Sequence, residues 1–209
     1  MSVYMTEEEQ LDLIKQWWSR HQTWITSVLS VLLLIFLVVK YVTMHHEKVQ
    51  HLASISYDKL MQASEQPDDK RLVAYARDLV NEYPKTVYAD AAQLALTKRF
   101  VYDHDRTNAR RTLEHLILHA DQRVMADLAR LRLARIHLYE KNYPQAFTLL
   151  AQIKENTLTA AVLELQGDLY AKQGQMTQAR QTYQQALALC DADGINHSFL
   201  QMKMSSINA

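Results

Sequence analysis

Nine histidines and a single cysteine are the side chains of this sequence best suited to metal or nucleophilic chemistry. His115 and His119 stand four residues apart, the spacing that brings two imidazoles to one helix face as a zinc site requires. Position 116, however, is Leu where a zinc hydrolase of that pattern carries its general-base Glu, and no third ligand lies nearby. The pair is expected to be solvated or partly packed. His45, His46 and His51 follow a long apolar run and read as spacers at a membrane surface. A lone Cys190 can build neither an intrachain disulfide nor a multi-thiolate site, and reads as a small apolar residue ending a helix. Asp68 and Asp69 follow Pro67, and Asp103 and Asp105 precede Arg106; both pairs have the placement of turn and helix-cap residues, not of an acid and its base. No Gly-x-Ser-x-Gly elbow exists, and three glycines (Gly167, Gly174, Gly194) cannot form a phosphate-cradling loop. These residues predict no catalytic group, no metal site and no cofactor. With 23 basic against 23 acidic residues, the chain also lacks the charge footprint of sequence-independent nucleic-acid binding.

The elements behind these residues are helical. Only three Gly and three Pro interrupt 209 residues that are 48% apolar, so long helices with few turns, an all-α protein, are expected. Residues 22–39 contain no charge, and the stretch 24–43 is long enough at 1.5 Å per residue to cross about 30 Å of hydrocarbon. Trp24 and Tyr41 bracket it at the headgroup level, with Lys40 able to extend its amine outward. Residues 1–23 are expected to form a short amphipathic segment. Thr6 and Glu9 have capping-box spacing, and Leu11, Ile14, Trp17 and Trp18 share one face. Lys15 and Arg20 before the span against Lys40, Lys48 and Lys59 after it leave the orientation open on charge alone.

Residues 44–209 read as one domain of helical pairs. Shifting the sequence by 33 residues lays Ala134 on Gly167, Ala146 on Ala179 and Leu150 on Tyr183. Gly167, Tyr170, Ala179, Tyr183 and Ala186 satisfy the tetratricopeptide pattern, in which small residues let two helices approach and aromatic rings fill the space beside them. Thr97, Phe100, Ala109, Leu113 and Leu116 match in the same frame, and Leu72, Ala76, Leu79 and Pro84 read as the second helix of an earlier unit whose first helix holds Tyr57 and Leu60. The expectation is an α-solenoid of about four hairpins, closed by a terminal helix carrying Phe199, Leu200, Met202, Met204 and Ile207. Gly174 is expected to end a helix in left-handed conformation, and Gly194 to be a plain loop residue.

In such a solenoid the first helix of each pair lines the open face, at positions one, four and five after its small residue. Here these are Lys98, Val101 and Tyr102, then Arg135, Leu138 and Tyr139, then Asp168, Ala171 and Lys172. A groove of aromatic and basic groups suits a peptide with some acidic character. Two readings of Tyr102 and Tyr139 stay open: groove residues, or rings completing the core.

A capped acidic N-terminal helix, one span near residue 30, the helix end Asn81-Glu82-Tyr83-Pro84, the stretch 131–136 and the repeat from Gly167 to Tyr183 together resemble the ancillary SecYEG translocon subunit family. The resemblance implies a single-span bacterial inner-membrane protein with a cytoplasmic N-terminus and a periplasmic tetratricopeptide-like domain. It also implies association with SecYEG and with a membrane-anchored periplasmic chaperone of the prolyl-isomerase type, and contact with nascent secreted polypeptides, without catalysis. The alternative is a tetratricopeptide scaffold for envelope assembly or division.

Overall fold

A computed structural model describes residues 7–65, 69–154, 158–190 and 195–207. Their order is α1 (Glu7–Glu65), α2 (Asp69–Glu82), α3 (Val87–Tyr102), α4 (Arg106–His119), α5 (Arg123–Tyr139), α6 (Tyr143–Ala151), α7 (Thr159–Lys172), α8 (Met176–Leu187) and α9 (Ile195–Ile207), and no strand occurs among the described residues. Thr6 of the expected capping box, Pro67, Asp68 and Gly194 lie outside them. Contacts divide the chain into two units, Met1–Val49 and Gln50–Ala209.

In the first unit, the described part of the expected amphipathic segment is the opening of α1, with no break before the apolar run. The reason is compositional. Neither Gly nor Pro occurs between Glu7 and Glu65, so no helix breaker interrupts the hydrogen-bond ladder over that range. Among the described residues α1 is the helix long and apolar enough to cross a membrane. Its apolar side chains from Val28 to Val42 are exposed. Polar side chains in the run are satisfied within the helix, as a hydrocarbon environment demands: Thr26 donates to the Gln22 carbonyl at 2.7 Å, Ser27 to Thr23 at 2.7 Å and Ser30 to Thr26 at 2.8 Å. Trp24 and Tyr41 are 69% and 73% exposed, Tyr41 stacks on His45, and Lys40 is exposed.

In the second unit, the last turns of α1 share an apolar cluster with α2 and α3, followed by the hairpins α3/α4, α5/α6 and α7/α8 and then α9. From α2 to α9 successive helices pack on one another, and α3 touches α5 as α5 touches α7, so these three first helices lie side by side. The core is a row of small clusters rather than one centre, as expected of a solenoid. Ala53, Leu60, Ala76 and Leu79 start it, Leu113, Leu116 and Leu133 continue it, Ala134, Ala146, Leu150 and Leu165 follow, and Ala179, Tyr183, Ala186 and Leu200 close it.

The turns within the α3/α4, α5/α6 and α7/α8 hairpins are copies of one another. His104, Lys141 and Gly174 take φ of 60°, 61° and 78°. In each turn the next N–H reaches back to the carbonyl five residues earlier: Asp105 to Phe100 at 2.8 Å, Asn142 to His137 at 2.9 Å and Gln175 to Tyr170 at 2.9 Å. The left-handed residue itself donates to Val101, Leu138 or Ala171. This is the Schellman arrangement, which satisfies carbonyls orphaned at a helix end. Asp105 then caps α4 by accepting from the Asn108 N–H at 3.1 Å, and that N–H together with the Asn108 amide holds its carboxyl below the usual value.

Gly167 sits where α7 and α8 cross. A Cβ there would meet the Tyr183 ring at 2.5 Å, so only glycine admits the ring at this depth. Tyr170 packs against Phe147 with ring centroids 5.1 Å apart. The α9 cap buries Leu200, and its Lys203 donates to Glu164 at 2.7 Å and to both Asp168 oxygens at 2.8 Å.

Candidate interaction groove

Two connected cavities lie along the first helices of the second unit. The larger, about 490 Å³, is walled by Tyr57, Leu60 and Met61 of α1, Leu72 of α2 and Leu94, Lys98, Arg99 and Tyr102 of α3. The smaller, about 310 Å³, lies between α3 and α5 and is lined by Lys98, Val101, Arg132, Arg135 and Tyr139, among others. Lys98 and Arg132 belong to both. Each volume falls in the range of about 300–1,000 Å³ typical of ligand sites. Among the described residues lining them are four cations and no carboxylate.

Those cations are not equivalent. Arg99 is matched by Asp103, which receives its Nε at 2.8 Å and also its Nη2, and its guanidinium stands 5.0 Å from the centre of the Tyr102 ring. Arg132 donates to the Leu94 carbonyl at 3.0 Å. Burial, and secondarily the charge of Arg135, pull its pKa below the ordinary arginine value. Lys98 and Arg135 are exposed and, among the described residues, have no ion-pair partner. Helical spacing explains the convergence, because Arg132 and Arg135 are three apart on one face of α5 while Lys98, Arg99 and Tyr102 share the last turns of α3.

Of the expected groove residues, Lys98, Tyr102, Arg135 and Tyr139 come together here. Tyr102 and Tyr139 are 76% and 75% exposed, so they are surface rings and not core. Asp168 and Lys172 do not line either cavity. The Asp168 carboxylate accepts from Lys203 and, at 2.5 Å, from the Tyr183 hydroxyl, so α9 occupies the place where a free groove residue was expected. Burial and these carboxylates together push the Tyr183 hydroxyl far above its usual pKa. Lys172 is exposed at the end of α7. Leu138 is buried among Leu131, Ala134 and Leu169, and Ala171 packs in the terminal cluster. Arg132, Arg99, Tyr57 and Met61 are groove residues that repeat register alone did not indicate; the Arg132 and Arg135 spacing was the available signal.

The histidine pair takes a different arrangement from a metal site. The His115 and His119 rings stack at 4.4 Å instead of converging on a point. His115 Nδ1 is 3.0 Å from the Gln93 amide oxygen, and His119 Nδ1 is 2.9 Å from the His115 carbonyl. Among the described residues no three His, Cys, Asp or Glu side chains are placed to share a metal ion.

Comparison with known proteins agrees with this architecture. A Neisseria gonorrhoeae protein named Ancillary SecYEG translocon subunit is 25% identical over 209 residues, covering 99% of this chain and 100% of its own. Proteins of the same name from Aggregatibacter actinomycetemcomitans and Haemophilus influenzae are each 24% identical; the alignments cover 99% and 89% of this chain, and 100% and 91% of theirs. No solved structure matches. Residues 15–209 match the tetratricopeptide repeat-like domain family. With repeated hairpins, identical interhelical turns and small-residue crossings in place across that stretch, the chain belongs to the tetratricopeptide repeat-like family.

Proposed function

We propose that the chain is a non-enzymatic accessory of the Sec translocon: a single-pass inner-membrane protein whose α1 span holds a peptide-binding solenoid at the channel. The observation that carries the reading is the open groove of cations and tyrosines along α1, α3 and α5, on a chain whose full-length relatives bear the translocon name. Residues 1–23 and the 24–43 span form the anchor, bounded by Trp24, Lys40 and Tyr41 at the lipid headgroups. The N-terminus is cytoplasmic and the domain 44–209 periplasmic. Tethering supplies the mechanism. A groove confined near the exit of the channel meets its ligand at an effective concentration of order millimolar, so weak contacts suffice to receive nascent secreted polypeptides and pass them to a membrane-anchored prolyl-isomerase-type chaperone. Lys98, Tyr102, Arg135 and Tyr139 are the contact residues, while Asp168 and Lys172 lie beside the capped end.

The reading is tested by affinity purification of the full-length protein from membranes in mild detergent. SecYEG and the chaperone are expected to accompany it, and to be reduced when residues 24–43 are replaced by an unrelated span. Purification with neither partner, against an equal yield of the bait, would sink the reading.

A further inference from the structure

The groove combines apolar and cationic walls. The cavity walled by α1, α2 and α3 has an apolar floor of Leu60, Met61, Leu72 and Leu94 beside Lys98, Arg99 and Arg132. The cavity between α3 and α5 is rimmed by Lys98, Arg132 and Arg135, none of which has a carboxylate partner among the described residues. In a chain of zero formal net charge this imbalance is local, not a sample of a generally basic surface. Arg132 is partly withdrawn from water with a like charge beside it. A cation so placed costs stability by itself and gains from an incoming anion. Two guanidinium forks three residues apart match carboxylate geometry in a way that lysine clusters do not. Tyr102 and Tyr139 add rigid amphipathic rings, which lose little conformational freedom on contact.

We propose that the groove selects polypeptide segments in which an acidic side chain lies near a bulky apolar one. The carboxylate is held by Arg132, Arg135 and Lys98, and the apolar side chain sits against Leu60, Met61, Leu72 and Leu94. This deepens, and rests on, the reading of the groove as a peptide site. It predicts bipartite recognition: neither acidity nor hydrophobicity alone gives full binding.

The test uses the full-length protein in phosphatidylcholine nanodiscs and an array of ten-residue peptides. A Leu-Phe pair and an Asp-Glu pair occupy every relative spacing, with matched peptides carrying Asn-Gln or Lys-Lys in place of the acids and Ala-Ala in place of the apolar pair. At the best spacing the acidic peptide is expected to bind roughly tenfold tighter than its amide counterpart, as a charge-assisted contact provides. It should also exceed the Ala-Ala version. The double variant Lys98→Glu with Arg135→Glu changes two exposed side chains, so the fold is kept, and it should turn the preference toward the Lys-Lys peptides. Equal binding of acidic and amide peptides, no binding of any peptide, or a double variant that keeps the wild-type preference would each overturn the proposal. So would tight binding to phosphatidylglycerol vesicles with no discrimination among peptides. Co-purification of SecYEG with the wild type separates the two claims. Present without acidic selectivity, it leaves the translocon reading standing and removes this one; selectivity without SecYEG does the reverse.

Discussion

Replacing Gly167 with Ala adds one methyl group and should cost several kcal/mol. The new Cβ would lie 2.5 Å from Tyr183 Cε1, 2.6 Å from Cδ1 and 3.1 Å from Cγ, where carbon atoms pack at about 3.5–4.0 Å. The ring must therefore retreat by roughly 1 Å, and it is pinned at its far end: its hydroxyl donates to Asp168 at 2.5 Å and the side chain is 3% exposed. Retreat sacrifices a bond to a charged group, about 1.5–3 kcal/mol, on top of about 1–3 kcal/mol of overpacking. Alanine returns about 1 kcal/mol through helix propensity, so the net loss is about 3 kcal/mol. For a unit of this size that lowers Tm by about 6–12 °C. Circular dichroism of the full-length protein in detergent, followed in the tyrosine near-ultraviolet band, reads the loss. Adding Tyr183→Leu to Gly167→Ala should cost less than the two single changes summed, because the colliding ring is gone. A Gly167→Ala variant that melts with the wild type or above it would refute the argument, since helix propensity would then have outweighed the contact.

Three further outcomes follow from single sites. His104→Gly and Lys141→Gly each relieve a left-handed conformation that a Cβ disfavours, and each should raise stability by about 0.5–1 kcal/mol in chemical denaturation; a loss at both would contradict the shared-turn account. Arg132→Met removes a partly buried cation, and the Leu94 carbonyl to which Arg132 donates lies within α3 and keeps its helical partner, so stability should hold or rise; a loss of more than about 1 kcal/mol in chemical denaturation would contradict that. His137 is buried, and burial with the Arg110 charge beats the opposing Glu140, 3.7 Å away, to hold its pKa below 6.5. The folded state therefore binds a proton less readily than the unfolded chain. Its contribution is complete above pH 6.5 and declines as pH falls below that toward the lower folded value, so melts at pH 7.5 and 5.5 should differ more for wild type than for His137→Gln.

How much of this was legible in the sequence depends on how local each signal is. The register of Gly167, Tyr170, Ala179 and Tyr183 is local, and it led directly to the α7/α8 hairpin and to its crossing. Gly174 announced its turn because glycine is the usual occupant of a left-handed cap. The equivalent turns at His104 and Lys141 gave no such notice, because hydrogen bonding back to Phe100 and His137 holds ordinary side chains there. The extent of α1 was written in the lack of Gly and Pro between Glu7 and Glu65, which carries one helix through the amphipathic stretch of Trp17 and Trp18 and through the apolar run alike. In the groove, Lys98, Tyr102, Arg135 and Tyr139 followed from repeat position. Asp168 held the same kind of position, yet Lys203, 35 residues later, claims its carboxylate, and no local pattern foretells a contact of that range. The burial of Arg132 was equally hidden, since it depends on where α3 places the Leu94 carbonyl.

The central claim, that the α1, α3 and α5 groove is the working surface, is tested most directly by site-specific photocrosslinking in intact cells. A photoreactive residue replaces Tyr102, Tyr139 or, as the control, Leu118, which is 77% exposed and lines neither cavity. The account predicts adducts with a translocon component, its chaperone or a secreted chain from positions 102 and 139, and background at 118. Adducts of equal strength at 118, or none from either tyrosine position while 118 reacts, would contradict it.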